Sequence, residues 1–229
     1  MEELIKIQNE IKEMDKQILE ICKENKEIDK QYTGMQIYFS PLVINPTIMF
    51  LGINTGAGNL KWTNKRAQRF EPLDEIDYIK YGYRFAIQNR KLFESIGRID
   101  LLKNAFKTNL YYIGTENQKN IKKLFTNLQN ITGIDYYNKF HQYIKTFIEN
   151  IKPKILICEG RYVFDCIKFI YNIEEKNIRK FDGKIPDAEI TVTKLNDIHV
   201  IGYNRRSSSI INRDKLAEVL KQLIDDNKL

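Results

Sequence analysis

An apolar run that ends abruptly in glycine and asparagine constrains the fold of this chain more than any other feature. Residues 48–51 are apolar without interruption, and Gly52, Asn54 and Gly56 follow closely. This pattern predicts a strand buried on both faces, followed by a tight loop with few bulky side chains. Open α/β sheets bind ligands at such carboxyl-end loops, because backbone can approach the ligand there and helix N-termini supply N–H donors. The sequence therefore predicts an α/β fold with Asn54 at the mouth of a ligand site.

The glycine spacing of this loop excludes two common phosphate-binding motifs. Residues 52–58 match neither the dinucleotide fingerprint nor the P-loop, in which Gly-Lys-Ser or Gly-Lys-Thr would follow. We therefore expect no phosphate binding by either route. The alternative to a ligand site is a glycine-rich turn that only joins a strand to a helix.

Composition and charge limit the class of protein. The 229 residues, 42% of them hydrophobic, suffice for one α/β domain with an appendage. A formal net charge of +7 favours an anionic partner. Three cysteines without metal-ligand spacing indicate neither a zinc site nor a disulfide framework, so no metal or cofactor is expected. No apolar run approaches the roughly 18 residues that span a bilayer, and the amino terminus is no signal peptide. We therefore expect a soluble cytoplasmic protein that does not bind membranes.

Residues 1–30 are predicted to form one amphipathic helix. Apolar side chains recur at spacings of three and four residues, a helical period interrupted only at Asn25. They are Leu4, Ile7, Ile11, Met14, Ile18, Ile21 and Ile28. A parallel homodimer through this stripe would place acidic side chains against each other, so we expect the helix to pack on its own chain and the protein to be a monomer. The predicted organisation is a helix and linker over residues 1–36 and a compact α/β domain over residues 37–229.

The remaining apolar patterns are typical of alternating strands and helices. Predicted strands cover residues 105–112, 154–160, 190–195 and 198–203, the last two joined by a hairpin turn. Predicted helices cover residues 77–96, 117–130, 136–150, a stretch from about residue 162, and 212–224.

Residues 61–70 interleave cations with aromatic side chains. The segment contains Lys61, Trp62, Lys65, Arg66, Arg69 and Phe70. This composition is typical of a loop that grips phosphates and stacks on a base. The alternative is a solvated surface loop with Phe70 tucked into the core.

The residues around Asn54 resemble the first active-site motif of a known enzyme family. Residues 52–56, Gly-Ile-Asn-Thr-Gly, are similar to the GINPG motif of the mismatch-specific uracil-DNA and thymine-DNA glycosylases, with Thr55 where the family has proline. Thr108 and Asn109 resemble the family's strand that ends in Thr-Asn before an apolar residue. Residues 154–160 resemble its third strand, which ends in glycine.

Residues 204–209 resemble the family's second motif, NPSG or HPS, a loop that enters the duplex and pinches phosphates. Asn204 and Ser207 or Ser208 match its polar ends, whereas proline is absent and Arg205 and Arg206 stand in the middle. The four segments occur in the family's order, and the match covers roughly residues 48–224. By this resemblance the chain is identified as a divergent member of the uracil-DNA glycosylase superfamily. Without the resemblance, residues 204–209 are equally typical of an ordinary surface loop.

The resemblance implies a fold and a reaction. The fold is a three-layer α/β/α sandwich around a four-stranded, mainly parallel sheet, with the N-terminal helix added. The reaction is hydrolysis of the N-glycosidic bond of a nucleotide flipped out of DNA, which leaves an abasic site and needs no cofactor. Asn54 would hold the attacking water, and Asn109 would read the Watson–Crick edge of the base. The aromatic that stacks on the base would be Phe70, with Trp62, Tyr81, Tyr83 and Phe85 as alternatives.

The implied site contains three groups of residues and no metal ligand. The catalytic residue is Asn54. The base-binding residues are Gly52, Ile53, Thr55, Gly56, Phe70 and Asn109. The DNA-binding residues are Asn204, Arg205, Arg206, Ser207, Ser208, Lys65, Arg66 and Arg69.

The two missing prolines change the shape of both motif loops, which favours a damaged or modified base over plain uracil. A bacterial glycosylase that acts on modified bases of phage DNA in antiviral defence fits this expectation. Two alternatives stay open. One is a DNA-binding module that kept the fold and lost hydrolysis, and the other is an unrelated α/β protein that binds a small nucleotide.

Overall fold

Two structural units alternate along the chain. The computed structural model describes residues 1–55, 66–117, 119–181, 188–206 and 208–229. Unit 1 comprises Met1–Tyr38, Ile53–Pro72 and Asn109–Asn150, and unit 2 comprises Phe39–Gly52, Leu73–Thr108 and Ile151–Leu229. Strands β1 (Ile48–Asn54) and β2 (Phe106–Tyr111) each begin in unit 2 and end in unit 1.

The central sheet has six strands in the order β2-β1-β3-β6-β5-β4 within the described residues. The remaining strands are β3 (Ile155–Cys158), β4 (Arg179–Phe181), β5 (Ile190–Leu195) and β6 (Ile198–Tyr203). Strand β3 pairs in parallel with β1 and with β6, whereas β5 is antiparallel to β6 and β4 is antiparallel to β5. The predicted α/β class is confirmed, but the predicted number of four strands is wrong. The hairpin strand β5 joins the sheet, and the short β4 extends its edge.

The centre of the sheet is apolar on both faces. Ile48 lies opposite Ile155 and Phe50 opposite Ile157, and every residue of β1 from Ile48 to Ile53 is buried. This confirms the prediction of a strand covered on both sides.

Helix α8 (Arg161–Ile170) packs closely on β6 in unit 2. A Cβ atom at Gly202 of β6 would lie 2.5 Å from a ring carbon of Phe164. That distance is well inside van der Waals contact, so only glycine lets the helix approach this strand so closely.

Two helices replace the single helix predicted for the amino terminus. Helix α1 (Glu2–Glu24) ends at Asn25, which has extended backbone angles, and helix α2 (Lys26–Gln31) follows. The Asn25 side chain accepts hydrogen bonds from the N–H groups of Glu27 and Ile28, each at 3.1 Å. It therefore caps α2.

The apolar stripe of α1 and α2 is buried within the chain. All of its predicted members are buried except Ile21, which is half-buried. The neighbouring Cys22 is buried. On the polar margin of α1, Glu10 accepts a hydrogen bond of 2.6 Å from the Tyr143 hydroxyl of helix α7 (Tyr136–Ile151). The prediction that this helix packs on its own chain is confirmed.

The other helices follow the predicted segments with two departures. They are α3 (Asp77–Lys80), α4 (Arg84–Ser95), α5 (Ile99–Lys103), α6 (Lys119–Thr132), α7 (Tyr136–Ile151) and α9 (Arg213–Asp226). The helix predicted over residues 77–96 is broken at residues 81–83, and α5 was not predicted. Within the described ranges, every helix is too short or too polar to cross a bilayer.

Candidate functional site

Asn54 lies at the carboxyl end of β1 and is half-buried, as the sequence predicts. Its Nδ2 atom donates to the carbonyl oxygen of Thr55 at 2.9 Å and to Oγ1 of Thr115 at 3.0 Å. The Thr115 hydroxyl in turn donates to the carbonyl of Asn117 at 2.8 Å. Both amide N–H bonds of Asn54 are therefore committed, and the direction of the hydrogen-bond chain fixes which way the amide points. No described residue donates to its Oδ1.

Asn109 lies beside this group, but not at the end of its strand. Strand β2 covers Phe106–Tyr111, which confirms the strand predicted over residues 105–112. Asn109 is therefore inside the strand, unlike the family's strand that ends in Thr-Asn. Asn109 is 5% exposed, and its Nδ2 donates to Thr55 Oγ1 over a long 3.4 Å. Among the described residues, this is the one hydrogen bond of the Asn109 side chain. Its oxygen and second N–H make no hydrogen bond to a described residue.

Backbone contacts of unit 1 hold the group together. The Thr55 carbonyl also accepts from the backbone N–H of Thr115 at 3.1 Å. A Cβ atom at Gly114 would lie 2.4 Å from Oγ1 of Thr33 and 3.4 Å from the Thr55 carbonyl oxygen. The close approach of these segments therefore depends on glycine at position 114. Thr115 and Gly114 were not singled out by the sequence analysis.

The other predicted base-binding residues differ in burial. Gly52 and Ile53 are buried inside β1. Phe70 is half-buried in unit 1. Gly56 lies outside the described residues, as do Lys61, Trp62 and Lys65.

The two described cations of the basic segment make contacts within unit 1. Arg66 donates from Nε to the carbonyl of Tyr32 at 3.0 Å and pairs with the Asp29 carboxylate. Its guanidinium also lies 5.5 Å from the centre of the Tyr32 ring. Arg69 is half-buried. Its backbone N–H donates to the carbonyl of Met35, and its carbonyl accepts from the N–H of Ile37. Arg66 therefore ties this segment to α2, and binding a phosphate would compete with Asp29.

The Arg-Ser segment of unit 2 forms a short hairpin. Strand β7 (Arg205–Arg206) pairs antiparallel with β8 (Ser209–Ile210). Asn204 follows β6 directly, and its carbonyl accepts from the N–H of Ile211 at 3.1 Å. Ser208 is half-buried in the turn, and Ser207 lies outside the described residues.

The two arginines of this hairpin have different surroundings. The Arg205 guanidinium lies 4.8 Å from the centre of the buried Phe85 ring. Arg206 is exposed. Arg205 therefore fixes the hairpin against α4, whereas Arg206 is available to a partner.

A buried charged cluster in unit 2 was missed by the sequence analysis. Glu159 directly follows β3, is 3% exposed and accepts a hydrogen bond from the Tyr78 hydroxyl. Lys107 Nζ lies 3.0 and 2.9 Å from the two carboxylate oxygens of Asp77, and 3.7 Å from the centre of the Tyr78 ring. A carboxylate placed directly after an apolar run was the available signal, because such a residue lies at the carboxyl edge of the sheet.

Burial shifts the pKa of one carboxyl group in this cluster. It raises the pKa of the Glu159 carboxyl above its ordinary value, while the charges of Lys107 and Arg205 and the Tyr78 hydroxyl oppose the shift. The cluster therefore contains a carboxyl group that is held away from water.

The candidate site thus consists of separate groups. Asn54, Thr55 and Asn109 lie together in unit 1, whereas residues 204–206 and 208 belong to unit 2. Within the described residues, no group of three or more side chains is arranged to hold a metal ion. Comparison with models of known protein families gives no match. A search of curated proteins finds no similar sequence.

Proposed function

We propose that this protein is a monofunctional DNA glycosylase that flips out a damaged or modified base and excises it by hydrolysis of the N-glycosidic bond. The observation that carries the proposal is the fixed amide of Asn54. Both of its N–H bonds are occupied at 2.9 and 3.0 Å, and its oxygen accepts from no described residue. An acceptor oxygen held in this way suits a water molecule, whose own oxygen then keeps a lone pair for attack.

The chemistry of the reaction fits an amide in this role. As the base departs, it takes negative charge and the sugar becomes cationic, so attack by a placed water completes the step. An amide positions that water without taking its proton at neutral pH. We therefore propose a catalyst that works by positioning and that acts best on bases that leave readily.

Two further groups support recognition of DNA. Asn109 keeps one donor and one acceptor, which match the edge of a flipped base. Arg206 is exposed on its hairpin and suits a phosphate. The finer fold that we propose is the three-layer sandwich of the uracil-DNA glycosylase superfamily, which the sequence motifs resemble. We further propose a monomer in the cytoplasm, with modified phage DNA as one setting for the activity.

The test is single-turnover release of bases from oligonucleotides that carry different modified bases, followed by alkali cleavage of abasic sites. Asn54→Ala should slow release by about 10²-fold, the usual cost of losing one oriented contact that matters in the transition state, with little change in DNA affinity. Asn54→Asp should be milder, because a carboxylate also orients water and stabilises the cationic sugar. The matched control is Asn138→Ala, an exposed asparagine of unit 1.

Two outcomes contradict the proposal. Release by Asn54→Ala at the wild-type rate would remove Asn54 from the mechanism. Tight DNA binding by the wild type, without release of any base tried, would show a binding module instead.

A further inference from the structure

Two tyrosines on unit 2 expose their rings at the break between α3 and α4. Tyr81 and Tyr83 are each 40% exposed. Gly82 between them is exposed, and the position of its absent Cβ has no other atom within 4 Å. One helical turn after Tyr83, Ile87 is 37% exposed. This surface is therefore open at Gly82 and exposes three large side chains.

Hydrogen bonds hold the Tyr83 side chain and the backbone of Tyr81 in place. The Tyr83 hydroxyl donates to Asp77 at 2.6 Å and accepts from Lys107 Nζ at 3.3 Å, both buried. Arg90 donates to the carbonyl oxygens of Tyr78 and Tyr81, at 2.6 and 2.8 Å, which fixes the turn. A flat partner that stacks on the Tyr83 ring would therefore lose little of its binding free energy to ordering that side chain, and the turn that carries Tyr81 is already fixed.

Two cations without described acidic partners flank the tyrosines in the sequence, and a third lies on the neighbouring hairpin. Lys80 and Arg84 flank them in the sequence and are exposed, with the Lys80 ammonium 6.0 Å from the centre of the Tyr81 ring. Arg206 comes from the hairpin whose strand β8 packs against α4. Among the described residues, no carboxylate pairs with any of these three cations, whereas many other exposed lysines are paired, such as Lys23 with Glu20.

We propose that this surface binds single-stranded DNA. We call it the tyrosine platform and define it as Lys80, Tyr81, Tyr83, Arg84 and Arg206. Exposed aromatic faces bind unpaired bases by stacking, and cations beside them bind the backbone phosphates. A duplex keeps its base faces covered, so the platform discriminates in favour of single strands. The inference rests on the proposed function for the identity of the polymer as DNA, and it adds the strand preference.

The test measures fluorescence anisotropy of a labelled oligothymidylate of about 20 nucleotides, longer than one binding module usually covers, and of a duplex of the same length. The full chain should bind the single strand more tightly than the duplex. Tyr81→Ala should weaken single-strand binding about tenfold, within the usual range for loss of one stacked base. Tyr81→Phe should bind like the wild type, because it keeps the ring. The control is Phe169→Ala, since this ring is 73% exposed but lies on α8.

The charged members of the platform have their own readout. Lys80→Gln and Arg84→Gln should each reduce the salt slope of single-strand binding by about 0.7, the value for one phosphate contact on a single strand. Tyr81 is preferred to Tyr83 for the ring test, because Tyr83 also bonds to the buried Asp77 and its removal could unfold the protein.

Two results would overturn the inference: equal affinity for single strand and duplex, or equal losses in Tyr81→Ala and Phe169→Ala. If either result were found and the protein still released a base, the glycosylase proposal would stand and only the single-strand preference would be wrong. If the protein bound single strands through the tyrosine platform but released no base, the inference would be supported and the glycosylase proposal would be rejected.

Discussion

Replacement of Lys107 by methionine should destabilise the protein strongly. The Lys107 and Asp77 side chains are 7% and 8% exposed, and they form an ion pair at 2.9 Å. Methionine fills a similar volume but leaves the Asp77 carboxylate buried without its cation. Removing one partner of a buried pair typically costs about 3–5 kcal/mol. Because the Tyr83 hydroxyl still donates to Asp77, we expect the lower end, about 3 kcal/mol, in the free energy of unfolding.

Urea denaturation of four proteins measures this coupling. They are the wild type, Lys107→Met, Asp77→Asn and the double variant. Because the double variant contains no buried charge at this pair, it should recover to within about 1–2 kcal/mol of the wild type. A loss below about 1 kcal/mol in Lys107→Met, or additive losses in the double variant, would refute the reasoning.

Three further predictions concern other parts of the chain. Gly202→Ala places a methyl group 2.5 Å from Cγ of Phe164 and should lower the free energy of unfolding by about 1–3 kcal/mol in urea denaturation. The cost should be smaller in a Phe164→Ala background, which removes Cγ and Cδ2, the two nearest atoms, and an equal cost in both would contradict the prediction. Burial raises the pKa of Glu159 above its ordinary 4.5, so folded protein holds this proton more firmly. The free energy of unfolding of the wild type, relative to that of Glu159→Gln, should therefore fall as pH rises from 4.5, by at most about 1.4 kcal/mol per pH unit. Urea titrations at several pH values measure this difference, and a difference that stays flat or rises with pH would contradict the prediction. Asn25→Ala removes the acceptor of the Glu27 N–H and should cost about 1 kcal/mol in the same assay, whereas Asn25→Asp should cost little.

Periodicity in the sequence predicted the longer elements, because it records burial directly. The inner face predicted for residues 136–150 is buried throughout, as Phe140, Ile144 and Phe147 show. The short elements α5 and β4 carry too few residues for a period to be visible. Strand β4 is also exposed along most of its length, and its pairing with β5 defines it as a strand. Such short elements form because of contacts with residues distant in the sequence, and a local sequence pattern does not show those contacts.

The position of Asn54 could be predicted, but its orientation could not. The apolar run and the turn residues after it place an asparagine at the end of a strand. Its orientation depends on Thr115, which is 61 residues away in the sequence. The pairing of Lys107 with Asp77 spans 30 residues and was equally invisible. A single sequence shows which residues are apolar or charged locally, but it does not show which distant residues meet.

The alternation of the two units along the chain limits how this protein can be divided. The passage from one unit to the other falls inside β1, after Gly52, and inside β2, after Thr108. A cut at either position would separate residues that share one hydrogen-bonded strand. Neither unit exists as a continuous stretch of polypeptide, so neither can be gained, lost or exchanged by fusion of a single gene segment. Both units must therefore be inherited as one coding sequence. During synthesis, most of the chain must emerge from the ribosome before either unit has all of its residues.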